Sequence, residues 1–178
     1  VDVDQARAHG VPLSVVLLSS FAALIARYTG APGVRVGLPL SNRHGAQAAR
    51  AVGLCVRTAV LALPVGPRAQ LRELSPLVAA QLQSLVAQQG LQLESLVRAL
   101  SRDRGGPRAA LFDVAFNYQW GLSEGLSELP GVELIALDTF TGFTQFDLTL
   151  DVQEQKDGSV ACSFEYASDL FDRATVQG

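Results

Sequence analysis

The stretch FDLTLDVQEQKDGSVACSFEY, residues 146–166, decides how this 178-residue sequence is interpreted. Apolar and polar residues alternate through its first half (146–153) and again through its second half (160–166). Such alternation is typical of strands with one buried face. The pair Asp157-Gly158 lies between the two runs and favours a tight turn. The stretch therefore predicts a β-hairpin near the end of the sequence.

The residues before the hairpin alternate between helical and strand patterns. A helix is predicted over 12–28, ended by Gly30, with apolar positions almost all the way round, as in a buried helix. Apolar residues spaced by three or four over 71–85 predict a second helix. Pro76 lies inside this run, so the helix either kinks there or begins near Ser75. Further elements are predicted at 34–38, 59–65, 112–118 and 132–138 (strands) and at 91–101 (helix). The fold class is therefore α/β, a two-layer α/β sandwich with helices on a mixed sheet.

Composition bounds the class of protein. Hydrophobic residues make up 48% of the sequence, enough for a large core, and the net charge of −3 gives no reason to expect nucleic acid or an anionic membrane as partner. Residues 1–10 are no secretion signal, and the apolar stretch 11–26 is too short for a convincing membrane span. Cys55 and Cys162 have apolar or small neighbours, which predicts buried free thiols in a reducing, cytoplasmic setting. Because methionine is absent, we expect the sequence to begin inside a longer protein or to be trimmed.

A search for catalytic chemistry finds no constellation. The sequence has two histidines, His9 in the polar start and His44 in GLPLSNRH (37–44), and we interpret His44 as an ordinary loop histidine rather than a general base. No Gly-x-Ser-x-Gly, Cys-x-x-Cys or His-x-x-x-His spacing occurs. The glycines of 30–37 miss the spacings of phosphate-binding loops. We therefore predict no catalytic residue and no metal site.

The polar cluster of GLPLSNRH suggests positioning rather than catalysis. Gly37 and Pro39 are expected to shape an exit from strand to loop, and Arg43 to tie that loop to a carboxylate or a carbonyl. Two interpretations of Asp147 stay open: a solvated side chain on the polar face of a strand, or an internal ion pair with Arg43. Asp151 lies on the same polar face and is expected to be solvated.

Seven short stretches, in order over nearly the whole chain, carry a family pattern. They are LLSSFAALIARYTG (17–30), GLPLSNR (37–43), VGLCVRT (52–58), QQGLQLESLV (88–97), RDRGGPRAALFDVAFNYQ (102–119), FDLTL (146–150) and FEYASDLFD (164–172). Together they resemble the condensation domains of nonribosomal peptide synthetases, in particular their C-terminal lobe. Each stretch alone is a weak signal, whereas seven in this order are specific.

The resemblance implies a chloramphenicol-acetyltransferase-like architecture. Two similar α/β lobes would enclose a tunnel, where an aminoacyl thioester on one carrier protein attacks a peptidyl thioester on another to form an amide. The family's catalytic His-His-x-x-x-Asp-Gly belongs to the N-terminal lobe and is absent from this sequence. Residues 1–178 would thus be one C-terminal lobe forming a wall of the tunnel. The implied partners are the N-terminal lobe of the same domain and peptidyl carrier proteins, whose phosphopantetheine arms carry the substrates, with no cofactor bound directly.

The resemblance also implies a set of positions at the tunnel or the lobe interface. They are Ser41, Asn42, Arg43, Gly53, Cys55, Arg57, Thr58, Gln88 and Asp147. Some residues depart from the family's pattern. Cys55 replaces the usual phenylalanine and Arg57 the usual asparagine, while Gln88, Gly90 and Gln92 replace histidine, aspartate and proline. Arg57 would either bring charge into the tunnel or swing out to a carboxylate at the lobe interface.

Two functional hypotheses follow. The first is a non-catalytic lobe of an amide-forming condensation enzyme. The second is a degenerate condensation-like or epimerisation-related domain that serves as a docking platform for carrier proteins or a tailoring enzyme, and the departures favour it somewhat. A free-standing single-lobe acyltransferase is discounted, because it needs a base that the sequence lacks. A lobe without its partner would expose apolar surface, so we also predict self-association of the isolated chain.

Overall fold

The computed structural model of the chain describes residues 10–41, 43, 46, 48, 50–87, 111–112, 114–120, 142–155 and 159–177. Within these residues the elements in chain order are α1 (Leu13–Thr29), β1 (Val34–Ser41), β2 (Val56–Leu63), α2 (Leu71–Ala87), β3 (Val114–Trp120), β4 (Leu148–Glu154), β5 (Val160–Tyr166) and α3 (Arg173–Gln177). The helix predicted at 91–101 and the strand predicted at 132–138 lie outside the described residues.

The strands follow the order β2-β1-β3-β4-β5 in a mixed sheet. Strands β1 and β2 are antiparallel, from the pair Val34–Leu63 to the pair Ser41–Val56, whereas β1 and β3 are parallel. Strands β4 and β5 are antiparallel. The predicted α/β class with helices and a mixed sheet is therefore confirmed. The chain divides into two compact units, Val1–Phe116 and Asn117–Gly178.

Helix α1 supplies much of the core of the first unit. Its sequence is apolar nearly all round, and nine of its residues are buried. Phe21 packs against Phe116 of β3, with ring centroids 6.3 Å apart. Gly30 ends the helix with φ 67° and donates its N–H to the Ala26 carbonyl at 3.0 Å, a left-handed cap that glycine adopts without steric cost. The predicted helix and its end at Gly30 are confirmed.

Helix α2 starts earlier than one of the two sequence interpretations proposed. It begins at Leu71 and continues through Pro76, so a start near Ser75 is wrong. The N–H groups of Glu73 and Leu74 both donate to the Gln70 carbonyl, which closes the first turn ahead of the proline. Leu74 and Val78 are buried on the face that the leucine spacing predicted.

Ser75 is fully buried in α2, and its hydroxyl has no hydrogen-bond partner among the residues that the structure describes. A buried polar group without a partner loses its hydrogen bonds to water and gains none in the protein, so it lowers the free energy of unfolding. Substituting Ser75→Ala is therefore expected to raise the free energy of unfolding by about 1 kcal/mol and the melting midpoint by about 2–4 °C. Differential scanning calorimetry of the full chain measures the shift.

Ser19 provides the control for this prediction. It is equally buried in α1, but its hydroxyl donates to the Val15 carbonyl at 2.7 Å. Ser19→Ala removes a satisfied hydroxyl and should bring no gain in stability. Equal gains in both variants would trace the effect to the helix propensity of alanine and would contradict the prediction.

Two predicted details of the strands need correction. Gly37 and Pro39 lie inside β1 rather than at its exit, because pairing with β2 continues to Ser41. The strand expected at 59–65 occupies Val56–Leu63 instead. Its inward residues alternate with outward ones up to Leu63, so apolar content alone placed it too late in the sequence.

The β4–β5 hairpin confirms the pattern on which the fold prediction rested. Next to the last strand pair, Glu154–Val160, the Gln155 N–H donates to the Ser159 carbonyl at 2.8 Å. The predicted turn pair Asp157-Gly158 lies outside the described residues. Strand β5 nevertheless has no buried face: residues 161–165 are all exposed. It is the last strand in the order of the sheet, so it has a neighbouring strand on one side only.

The two cysteines differ from the prediction that both are buried. Both are free, but neither is buried: Cys55 is half-buried and Cys162, on β5, is exposed. Neighbours that are apolar in sequence do not ensure burial at the end of a sheet.

Polar side chains join β3 to β4 within the second unit. Asn117 donates to the Asp151 carboxylate at 2.9 Å, and the Tyr118 hydroxyl donates to Glu154. Burial raises the pKa of Tyr118, and the bond to Glu154 and its charge raise it further. Asp151 is thus half-buried and hydrogen-bonded, which corrects the expectation of a solvated side chain.

Charge is divided unevenly between the two units. Residues 1–116 carry 12 Lys and Arg against 6 Asp and Glu, whereas residues 117–178 carry 2 against 11. The net charge of −3 therefore conceals a basic unit and a strongly acidic one.

None of the helices in the described ranges is long and apolar enough to cross a membrane.

Candidate functional site

The loop between β1 and β2 gathers several of the predicted site residues. Arg43 is its centre: Nη1 donates to the carbonyls of Ala48 at 3.0 Å and Ala51 at 2.6 Å, and Nη2 donates to that of Gly53 at 3.5 Å. The Arg43 backbone N–H donates to the Ser41 hydroxyl at 3.3 Å. A planar guanidinium suits several carbonyls at once. Arg43 thus ties the loop to carbonyls, one of the two predicted partners.

The same loop presents apolar side chains to solvent. The relative exposure of Val52 is 104% and that of Leu54 is 93%, and Val56 at the start of β2 is also exposed. Gly53 between them has φ 147°, a conformation that other residues rarely adopt. We call Val52, Leu54 and Val56 the apolar tip. Contiguous exposed apolar surface is more common at contact sites than elsewhere on a protein, so the apolar tip is a candidate contact.

Arg57 lies one residue into β2 and turns toward the helices. It pairs with Leu40 across the ladder and shares a sheet face with buried Ala59. Its Nη2 donates to the Leu85 carbonyl at 3.4 Å, in the last turn of α2, where positive charge is favourable. Its Nε is buried and finds no hydrogen-bond partner within the described part of the chain. The tunnel-facing position and the carboxylate partner at a lobe interface stay predictions.

The remaining predicted site residues fall in different places. Cys55 and Thr58 flank the start of β2 and are half-buried, and Thr58 pairs with Pro39 on the opposite sheet face from Arg57. Asp147 belongs to the second unit, so its ion pair with Arg43 stays a prediction. Asn42 and Gln88 lie outside the described residues.

Asp147 lines a cleft that sequence reasoning did not anticipate. The cleft has a volume of about 570 Å³ and is formed by residues 142–147 and 164–170. The backbone carbonyl of Asp147 accepts the N–H of Ala167 at 3.0 Å, which joins its two walls. The family stretches FDLTL (146–150) and FEYASDLFD (164–172) overlap its two walls but did not mark a cleft, although the acidic balance of residues 117–178 could have been counted.

The arrangement can position but offers no obvious catalyst. Among the described residues no group of His, Cys, Asp and Glu could hold a metal ion, and both histidines lie outside them. What the β1–β2 loop provides is a shaped backbone, an apolar tip and, next to it at the start of β2, the half-buried Arg57. The tip was missed by the sequence analysis, although an apolar, glycine-containing connection between two strands was a usable signal.

Comparison with known proteins identifies the family. The condensation domain model matches residues 4–178. The chain is 33% identical over 172 residues to a linear gramicidin synthase of Brevibacillus parabrevis, covering 96% of this chain and 3% of that protein. It is 30% identical over 169 residues to malpinin synthetase of Mortierella alpina, covering 95% of this chain and 2% of that protein. The chain thus spans a small part of these relatives.

Solved structures show the same fold. The first condensation domain of the CDA synthetase superposes with a TM-score of 0.71 at 22% identity, covering 97% of this chain and 38% of that one. The condensation domain of the monacolin K polyketide synthase superposes with a TM-score of 0.82 at 17% identity, covering 98% of this chain and 41% of that one. With its family match over nearly all residues and this shared chloramphenicol-acetyltransferase-like fold, the chain belongs to the condensation domains of nonribosomal-peptide-synthetase type.

Proposed function

We propose that this chain is the C-terminal lobe of its condensation domain and forms one wall of the tunnel in which carrier-bound aminoacyl and peptidyl thioesters are joined. One observation carries the proposal: the family match fills the chain, yet the chain covers only 38% of a condensation-domain structure. The sequence also lacks the His-His-x-x-x-Asp-Gly motif. The lobe is therefore not catalytic by itself and completes a site whose base lies on its partner.

The β1–β2 loop is the proposed contact with the N-terminal lobe. Its apolar tip is exposed while Arg43 fixes the backbone that carries it. Ordering before contact lowers the entropic cost of association. Peptidyl carrier proteins are the further partners, and their phosphopantetheine arms bring the thioesters to the tunnel. The free thiols of Cys55 and Cys162 accord with a cytoplasmic setting, which belongs to the same proposal.

An amide-forming assay on the complete two-lobed domain, with loaded donor and acceptor carrier proteins, tests this function. Arg57→Asn removes the bond to the last turn of α2 and is expected to lower dipeptide formation about tenfold, because the tunnel wall loses its anchor. The matched control is Arg68→Asn, an exposed arginine of the loop before α2, which should leave the rate unchanged. Equal rates in all three proteins would contradict the role given to Arg57.

The docking platform is the second candidate. It is favoured by the departures at 55, 57, 88, 90 and 92, and by Arg57 bonding a helix carbonyl where asparagine is usual in the family. If it holds, the wild-type domain will form no dipeptide from several substrate pairs while still binding carrier proteins in pull-down experiments. An epimerisation-related domain would instead invert the stereocentre of a carrier-bound aminoacyl group, which chiral chromatography of the released product detects.

A further inference from the structure

The cleft of the second unit lies at the open end of the β4–β5 hairpin, opposite its turn. Its volume of about 570 Å³ is within the range of pockets that bind small molecules. All its lining residues belong to two segments, 142–147 and 164–170. None of them is among the residues given a role in the proposed tunnel except Asp147.

Backbone hydrogen bonds fix both walls of the cleft. The Ala167 N–H donates to the Asp147 carbonyl, and the Ala167 carbonyl in turn accepts the N–H groups of Leu170 and Phe171, each at 3.0 Å. On the other wall, the Thr144 hydroxyl donates to the Phe146 carbonyl at 2.8 Å. The chain's own hydrogen bonds thus hold both walls in place, which reduces the ordering cost of binding.

The charge of the cleft has one sign. Asp147, Glu165 and Asp169 line it, and no Lys or Arg is among the lining residues. The described residues of the second unit contain six carboxylates and one basic side chain, that of Arg173. Two of the six, Asp151 and Glu154, already accept hydrogen bonds from β3. The field at the cleft is therefore negative and favours a cation.

Apolar groups accompany this negative charge. The side chains of Phe143 and Leu170 are exposed at 84% and 58%, and Phe164 of β5 is exposed as well. Phenyl faces attract cations through their quadrupole and also cover apolar surface. Inorganic ions would leave these groups in water, so the complementary ligand carries its charge on an apolar body.

We propose that this cleft binds an organic cation, a guanidinium or primary ammonium group on an apolar stem. The ligand's charge meets the carboxylates of Asp147 and Asp169, and its stem lies against Phe143 and Leu170. This function goes beyond amide formation, and of the residues it uses only Asp147 is also a predicted tunnel or lobe-interface position.

Isothermal titration calorimetry of the full chain tests the proposal with a peptide and its neutral isostere. The peptide is acetyl-Phe-Arg amide, and the isostere is acetyl-Phe-citrulline amide, in which an uncharged urea replaces the guanidinium. The arginine peptide should bind saturably, at least about tenfold more tightly than the citrulline peptide, and its affinity should fall as salt is raised. Agmatine distinguishes the source of the cation: affinity equal to the peptide's indicates a free amine, and weaker affinity indicates a peptide-borne side chain.

Three variants place the binding in the cleft. Asp147→Asn and Asp169→Asn should each weaken binding of the arginine peptide about fivefold. Asp172→Asn makes the same change of charge in the same unit but outside the cleft, and should weaken it less than about twofold. Circular dichroism confirms that each variant folds. The proposal is overturned by absence of saturable binding of both arginine peptide and agmatine, by equal affinity for the citrulline peptide, or by equal losses in all three variants.

Discussion

Replacing Gly37 with alanine will lower the free energy of unfolding by about 3 kcal/mol. Gly37 lies in β1 between β2 and β3, paired with Val60 and Ala115. A Cβ added there would overlap the Cδ2, Cε2 and Cζ atoms of the Phe112 ring. Because that ring is itself only 8% exposed, it cannot move aside without leaving its own packing.

Urea unfolding monitored by circular dichroism measures this loss. Gly66→Ala is the control, since an added Cβ there meets no atom within 4 Å, and it should change stability by less than about 0.5 kcal/mol. Shortening the ring with Phe112→Leu should recover part of the loss in the Gly37→Ala background, as expected for two residues in contact. If Gly37→Ala and Gly66→Ala unfold at the same urea concentration, the predicted clash between an alanine Cβ at position 37 of β1 and the Phe112 ring is contradicted.

Substituting Leu54→Asp should reduce amide formation by the complete condensation domain about 100-fold. The side chain is 93% exposed in this chain, so the substitution leaves the lobe's own folding almost unchanged. At the proposed contact with the N-terminal lobe, however, the carboxylate would be buried without a partner. The loss therefore appears in activity and in lobe association rather than in the stability of the lobe itself. Dipeptide formation and thermal unfolding, measured side by side, separate the two effects.

Leu24→Asp serves as the control, because Leu24 is an exposed apolar residue of α1 away from the β1–β2 loop. It should keep most of the activity. The isolated chain offers a second readout: the apolar tip is expected to drive self-association, so sedimentation velocity should show larger species for wild type than for Leu54→Asp. Full activity of the Leu54→Asp domain would remove the apolar tip from the lobe contact.

The fold was predictable wherever burial follows a simple period. The leucine spacing over 71–85 reports the buried face of a helix, and Gly30 marks a helix end by its own backbone freedom. The alternation over 146–153 correctly marks Leu150 and Val152 as buried, although Thr149 on the predicted polar face is buried as well. The family motifs then fixed the architecture. Strand β5 kept its alternation but not its buried face, because burial of a strand also depends on what covers it.

The site was less predictable, since its contacts use groups that every residue has. Arg43 and Arg57 both donate hydrogen bonds to backbone carbonyls. Because every residue has a backbone carbonyl, the sequence does not show which residue accepts such a bond. The sequence therefore suggested a carboxylate partner for Arg57 and left a carboxylate and a carbonyl both open for Arg43, without saying which carbonyls. The cleft around Asp147 depends on the meeting of two segments about 20 residues apart, and only the ladder register brings them together.

The construction of the β1–β2 loop has a consequence for how such domains diversify. Among the described residues of the loop, the Arg43 side chain bonds three backbone carbonyls, those of Ala48, Ala51 and Gly53. The outward residues Val52 and Leu54 take no part in that support. The outward residues can therefore be exchanged, by selection or by an engineer, without disturbing the backbone of the loop, as long as they still match the surface of the N-terminal lobe at the proposed contact. The arginine and the backbone bend at Gly53 must be inherited together, because they shape the loop.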